Sequence, residues 1–142
     1  MGASNRFTHA QRQQYLDMTN RIGRRWIEVF EGDTEFYSAA YWDLLTGIWY
    51  RGGAVRKTDA LGLMTAIKSA HTAGKHVDVA ISRGILEEKP NPEDARSRLI
   101  ALSPEMRRRL DAFFDQALVE VEDTGRGLGA RRRGAPSHQP RA

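Results

Sequence analysis

The stretch Ser69–Gly84, followed by two short β-prone runs, restricts most strongly what this chain can become. Ser69 is a good helix N-cap, because its hydroxyl accepts a hydrogen bond from an amide that has no partner inside the helix. Ala73, Val77, Ala80 and Ile81 then recur at helical spacing. At about 100° per residue, that spacing puts all four on one face. Gly84 supplies the left-handed stop that ends a helix. The opposite face carries His71, Thr72, Lys75, Asp78 and Ser82. Short hydrogen-bonding groups and a cation on an exposed helix face suit a major groove, where base edges lie between phosphates. Next come Ile85–Lys89 and Arg96–Leu102, separated by Pro90-Asn91-Pro92-Glu93-Asp94. Two such runs about a turn-forming segment predict a β-hairpin.

A helix followed by such a hairpin is the layout of a winged helix-turn-helix. The preceding sequence fills in the rest. Thr58 is placed to cap a helix from Asp59 to Ile67, the first of the helix-turn-helix, and Ala54-Val55-Arg56 can form a short strand beside the wing. Gly62 and Gly74 are poor helix formers and suggest a close crossing of the two helices. Before these, Tyr15, Met18, Ile22, Trp26, Val29 and Phe30 follow helical spacing within Thr8–Phe30. A second helix, rich in Phe36, Tyr41, Leu44, Leu45 and Ile48, is expected over Thr34–Tyr50 and should be buried on most faces. After the hairpin, Ser103-Pro104-Glu105 combines a capping hydroxyl, proline in the first turn and an acid at the positive end of the dipole. Met106, Leu110, Phe113, Phe114, Ala117, Leu118 and Val121 then form an apolar stripe as far as Glu122.

Within this pattern, Arg83-Gly84-Ile85-Leu86-Glu87-Glu88, Asn91 to Leu99 and Leu102-Ser103-Pro104-Glu105 resemble the MarR-type regulators. In that family the recognition helix ends in Arg-Gly-Leu, the wing carries Asp-x-Arg, and a Leu-Thr-Pro step opens the next helix. Asp94 and Arg96 match the Asp-x-Arg pair. Met106 departs from the family, which has glycine there. The resemblance implies a mainly α fold with a small antiparallel β-wing, a winged helix-turn-helix whose N- and C-terminal helices pair with a second copy. The expected organisation is a disordered N-terminus at 1–7 and a MarR-like winged-helix domain at 8–123. Within that domain lie a helix-turn-helix at 58–84, a wing at 85–102 and dimerisation helices at 8–30 and 103–122. A disordered basic tail at 124–142 follows.

Charge separates the tail from the body. From Thr124 onward there are five arginines (Arg126, Arg131, Arg132, Arg133 and Arg141) and no acid, so the remainder carries 17 basic residues against 18 acidic ones. The basic character of the whole is therefore a property of the tail. Between Arg51 and Arg98 the balance reverses locally, with nine basic residues against six acidic, an excess compatible with a phosphate-facing patch. Cysteine is absent, which excludes disulfides and thiolate chemistry. No apolar run reaches membrane-spanning length, and the opening MGASNRFTHA does not read as a signal peptide, so a cytoplasmic protein is expected. His71 and His76 stand about 140° apart around a helix and cannot grip one metal together. No nucleophile elbow or phosphate loop is found, so neither an enzyme nor a cofactor is expected.

The candidate DNA-binding residues are Ser69, His71, Thr72, Lys75, Asp78 and Ser82 on the helix, with Arg96 and Arg98 on the wing. Asp94 is expected to hold Arg96 in place, since a carboxylate repels phosphate. Asp78 can accept from a cytosine amine or serve as an ion-pair partner. Trp26, Tyr37, Trp42 and Trp49 are either core aromatics or the lining of a small-molecule effector pocket. The leading function is a sequence-specific DNA-binding transcriptional regulator that binds a pseudo-palindromic operator in double-stranded DNA as a homodimer. The alternative is a winged-helix protein–protein module or a non-specific chromosome-associated factor.

Overall fold

The computed structural model describes residues 6–134, with side chains through residue 129. Its elements in order are α1 (His9–Val29), a 3-10 turn (Thr34–Phe36), α2 (Ala39–Arg51), β1 (Val55–Arg56), α3 (Lys57–Leu63), α4 (Ala70–Ser82), β2 (Leu86–Pro90), β3 (Arg98–Leu102) and α5 (Pro104–Gly134). Two compact units are formed, one by residues 27–112 and one by residues 6–26 with 113–134.

The central unit holds the helix-turn-helix and the wing. In α4, Ser69 accepts from the Thr72 amide at 3.3 Å, and Ala73, Val77 and Ala80 are buried. The helix stops where Gly84 turns left-handed at φ 74°, with the Ile85 amide reaching back to the Ala80 carbonyl at 2.9 Å, a bond that satisfies a terminal carbonyl. The strands form an antiparallel sheet in the order β1-β3-β2, with Leu86 opposite Leu102, Pro90 opposite Arg98 and Val55 opposite Ile100. Leu86, Ile100, Ala101 and Leu102 are buried. At the wing's tip Asn91 and Asp94 side chains accept from the amides of Glu93 and Arg96, both at 3.0 Å.

Three local expectations are corrected here. The Thr34–Tyr50 segment is two elements, because two competing caps interrupt it. Asp33 accepts from the Glu35 amide at 3.0 Å and Ser38 from the Tyr41 amide at 3.2 Å. A side chain that captures a backbone amide in this way starts a helix rather than continuing one. Next, α3 begins at Lys57, directly off β1, without a side-chain cap, and ends at Leu63. Beyond it, Met64 is buried, and turn bonds such as Ile67 amide to Met64 carbonyl replace the helical ladder. Finally, Gly62 and Gly74 have open space where a Cβ would stand, so neither marks a close crossing. The close approach is at Gly47 in α2, where a Cβ would lie 2.9 Å from the Leu63 side chain.

In the other unit, Thr8 and Gln11 make a reciprocal capping box at the start of α1. The Thr8 amide donates to Gln11 Oε1 at 2.8 Å and the Gln11 amide to Thr8 Oγ1 at 3.0 Å. Trp26 is buried edge-on against Phe113, with ring centroids 5.2 Å apart. Only part of the predicted stripe on α5 is buried within the single chain. Burial follows Met106, Leu110 and Phe113 and then Glu120, while Leu118 and Val121 are 61% and 48% exposed. Glu120 takes an inward position because two guanidiniums meet it, Arg21 Nε at 2.7 Å and Arg25 Nη2 at 3.1 Å. Their hydrogen bonds hold its carboxyl below the usual carboxylate range.

Helix α5 does not stop at Glu122. It runs to Gly134, so the expectation of a disordered tail fails for residues 124–134. Arg126 pairs with Asp123 one turn back, and Leu128 lines an apolar cavity with Phe7, Gln11, Arg12 and Tyr15. Those interactions offset the low helix propensity of Gly125 and Gly127. The rest of the predicted tail, 135–142 with Arg141, lies outside the described residues, as do 1–5 of the predicted disordered N-terminus.

Candidate nucleic-acid interface

The sequence-predicted residues of the recognition face are brought together on α4 and its cap. Ser69, His71, Thr72, Lys75, Asp78 and Ser82 are all exposed, while Ala73, Val77 and Ala80 on the other side are buried. Their hydrogen-bonding capacity is unequal. The Ser69 oxygen is engaged as the cap, and the Ser82 hydroxyl donates to the Val79 carbonyl at 2.8 Å. Lys75 makes no hydrogen bond or ion pair among the described residues, so its ammonium is available to an incoming anion. Asp78 lies 3.9 Å from Lys57 Nζ, which favours its ion-pair role.

Several residues that the sequence reading passed over set the orientation of α4. His76 turns inward, its Nδ1 2.9 Å from the Thr72 carbonyl and its ring 5.1 Å from that of Tyr41. The Tyr41 hydroxyl donates to the His76 carbonyl at 2.9 Å. Burial, reinforced by the charge of Glu35, pushes the Tyr41 phenol up to about 12, so it stays a donor throughout the physiological range. At the far end of the helix Arg83 donates to Glu35 at 2.8 Å and to Asp33, and its guanidinium lies 5.6 Å from the Phe36 ring centre. The Glu35 amide and Arg83 together hold Asp33 below the usual carboxylate range. The acidic segment Glu31–Glu35 was the only trace of this arrangement in the sequence.

On the wing, Arg96 is exposed and its guanidinium makes no hydrogen bond or ion pair among the described residues. Asp94 does position Arg96, but through the backbone amide rather than the guanidinium. Arg98 is held differently, its Nε 3.4 Å from Glu88 Oε2. The same Glu88 oxygen is 3.7 Å from Lys57 Nζ.

The four aromatic residues considered for an effector pocket have separate surroundings. Trp26 packs on Phe113, and Trp49 donates to Asp111 at 2.8 Å. Tyr37 and Trp42 are exposed, as is Tyr50, which also corrects the expectation that the Thr34–Tyr50 segment is buried on most faces. A cavity of about 300 Å³ in the central unit is lined instead by Phe30, Phe36, Arg83, Ile85, Met106 and Arg109 among others. Among the described residues no three His, Asp or Glu side chains group so as to hold a metal ion. No helix among them is long and apolar enough to cross a membrane.

In the central unit, a helix-turn-helix of α3 and α4 and a β2–β3 wing edged by β1 define a winged helix-turn-helix fold. No family model matches the sequence, and no curated protein matches it. Among solved structures, a transcriptional regulator from Thermotoga maritima is similar with a TM-score of 0.59 and 14% identity, over 92% of this chain and 100% of that one. The transcriptional repressor CouR, bound to a 23-mer DNA duplex, is similar with a TM-score of 0.55 and 17% identity, over 89% of this chain and 84% of that one. A mutant MarR from E. coli complexed with operator DNA has a TM-score of 0.48 and 19% identity, over 84% and 80% of the respective chains.

Proposed function

We propose that this protein is a sequence-specific DNA-binding transcriptional regulator that binds a pseudo-palindromic operator as a homodimer. The observation that carries the reading is the division of α4 into a buried apolar side and an exposed side bearing His71, Thr72 and Lys75. A helix anchored in this way can enter a major groove, with hydroxyl and imidazole groups meeting base edges and Lys75 meeting a phosphate. Arg96, at the tip of the wing, reaches the neighbouring backbone or minor groove. The fold shared with CouR, which was solved on a DNA duplex, supports the same use of these elements.

The dimer rests on the terminal helices. Tyr15, Leu16, Leu118 and Val121 expose apolar surface there, which a partner copy would cover. A two-fold pair of recognition helices reads half-sites about one helical turn apart, ~34–36 Å, which makes the operator pseudo-palindromic. Selection of bound duplexes from a random pool, followed by salt titration of the winner, tests the reading. A regulator enriches an inverted repeat and binds it with steep salt dependence and strong preference over a scrambled duplex. Recovery of no consensus, or equal affinity for both duplexes, would refute it.

A further inference from the structure

Glu88 lies on β2 between Lys57, at the start of α3, and Arg98, a wing cation assigned above to DNA. Its Oε2 is 3.7 Å from Lys57 Nζ and 3.4 Å from Arg98 Nε. Its side chain is 29% exposed, against 34% for Lys57 and 47% for Arg98, so the carboxylate is the most enclosed member of the cluster. Lys57 also faces Asp78 of the recognition helix at 3.9 Å. One carboxylate thus ties the start of α3 to both strands of the wing, on the side facing α4. The preceding residue, Glu87, pairs with Lys89 at 3.8 Å and projects to the other face of the strand, as successive strand residues do.

A lysine and an arginine beside a recognition helix are the groups that neutralise DNA phosphates. Here an internal carboxylate, an anion of similar hydrogen-bonding capacity, already occupies them. We propose that Glu88 is an internal competitor on the DNA-binding surface that holds Lys57 and Arg98 until a duplex phosphate replaces it. This rests on the DNA-binding reading. The exchange needs no proton or covalent step: two ion pairs open and two cation–phosphate contacts form. Opening those pairs costs the same on any duplex whose phosphates engage both cations. Glu88 therefore lowers affinity for every duplex whose phosphates reach Lys57 and Arg98.

The test uses full-length parent, Glu88→Gln and Glu87→Gln on operator and scrambled duplexes at several salt concentrations. Gln keeps the shape of the side chain, and both variants change the net charge equally. Glu88→Gln should bind both duplexes more tightly by roughly three- to tenfold, the worth of one or two exposed ion pairs. Its salt slope should match the parent's, because both form the same two phosphate contacts once bound. Glu87→Gln should gain less, and the Glu88→Gln gain should vanish when Lys57→Met and Arg98→Gln are also present. If Glu88→Gln binds no more tightly than Glu87→Gln, or its gain survives loss of both cations, the inference is overturned while the parent's preference for operator stands. A parent that shows no such preference overturns the DNA-binding reading, and this inference with it.

Discussion

Lys75 and Val77 are two residues apart on α4, and the fold predicts opposite consequences for removing each. Val77 is fully buried. Val77→Ala deletes two methyl groups, worth about 0.8 kcal/mol each in transfer, and the cavity left behind adds up to about 1 kcal/mol. The better helix propensity of alanine returns about 0.5 kcal/mol. The net cost is about 2 kcal/mol, which lowers the melting temperature by about 6–8 °C for a chain of this size. Lys75 is exposed, and Lys75→Ala should change stability by no more than ~0.5 kcal/mol. On DNA the order reverses. Loss of one charge-assisted phosphate contact, about 1.5 kcal/mol, weakens operator binding roughly tenfold and lowers the salt slope by about 0.9. Val77→Ala, assayed well below its melting temperature, should keep the parent's ratio of operator to scrambled affinity. Urea denaturation and fluorescence titration at several salt concentrations measure both quantities. If Lys75→Ala binds operator as tightly as the parent, the exposed face of α4 is not the reading face. If Val77→Ala is as stable as the parent, the buried side of α4 is not anchored as described.

The remaining predictions concern the terminal helices. Leu118→Glu with Val121→Glu places charge on residues exposed in the single chain; the secondary structure should survive while light scattering reports a shift from dimer to monomer, and a parent that is already monomeric at micromolar concentration would refute the dimer. Ending the chain at Asp123 removes five arginines and should flatten the salt dependence of DNA binding. Because that truncation also removes Leu128 from its apolar cavity, the melting temperature should fall; an unchanged value would mean that the end of α5 packs on nothing. For Glu120, the two arginines lower the folded-state pKa, so its contribution is complete above the unfolded value and is lost as pH falls through the depressed folded one. Glu120→Gln should therefore lower the urea midpoint near neutral pH and close the gap to the parent as pH falls through the depressed carboxylate value; a gap of constant size would rule out the ion pair as its source.

The recognition helix and the wing were legible because everything that specifies them is local. The Ser69 cap, the spacing of Ala73, Val77 and Ala80, the Gly84 stop and the Pro/Asn/Asp turn all act within a few residues of where they stand. The same locality carried the capping at Ser103 and the exposure of Lys75 and Arg96. The division of Thr34–Tyr50 also had a local cause, in Asp33 and Ser38, but the high apolar content of the segment masked it. Other features depended on partners that sequence spacing does not indicate. Arg21 and Glu120 are 99 positions apart, and a glutamate on a predicted apolar stripe reads as a fault until both arginines are seen beside it. Arg83 finds Asp33 across 50 positions, and Glu88 becomes a competitor for phosphate only because β1 leads directly into Lys57 beside the wing. Leu128 likewise draws α5 past the glycines that should have ended it. Hydrophobic period and capping propensity are properties of neighbours along the chain, whereas the pairing of charges and the filling of cavities depend on distances that exist only after the helices and strands have packed.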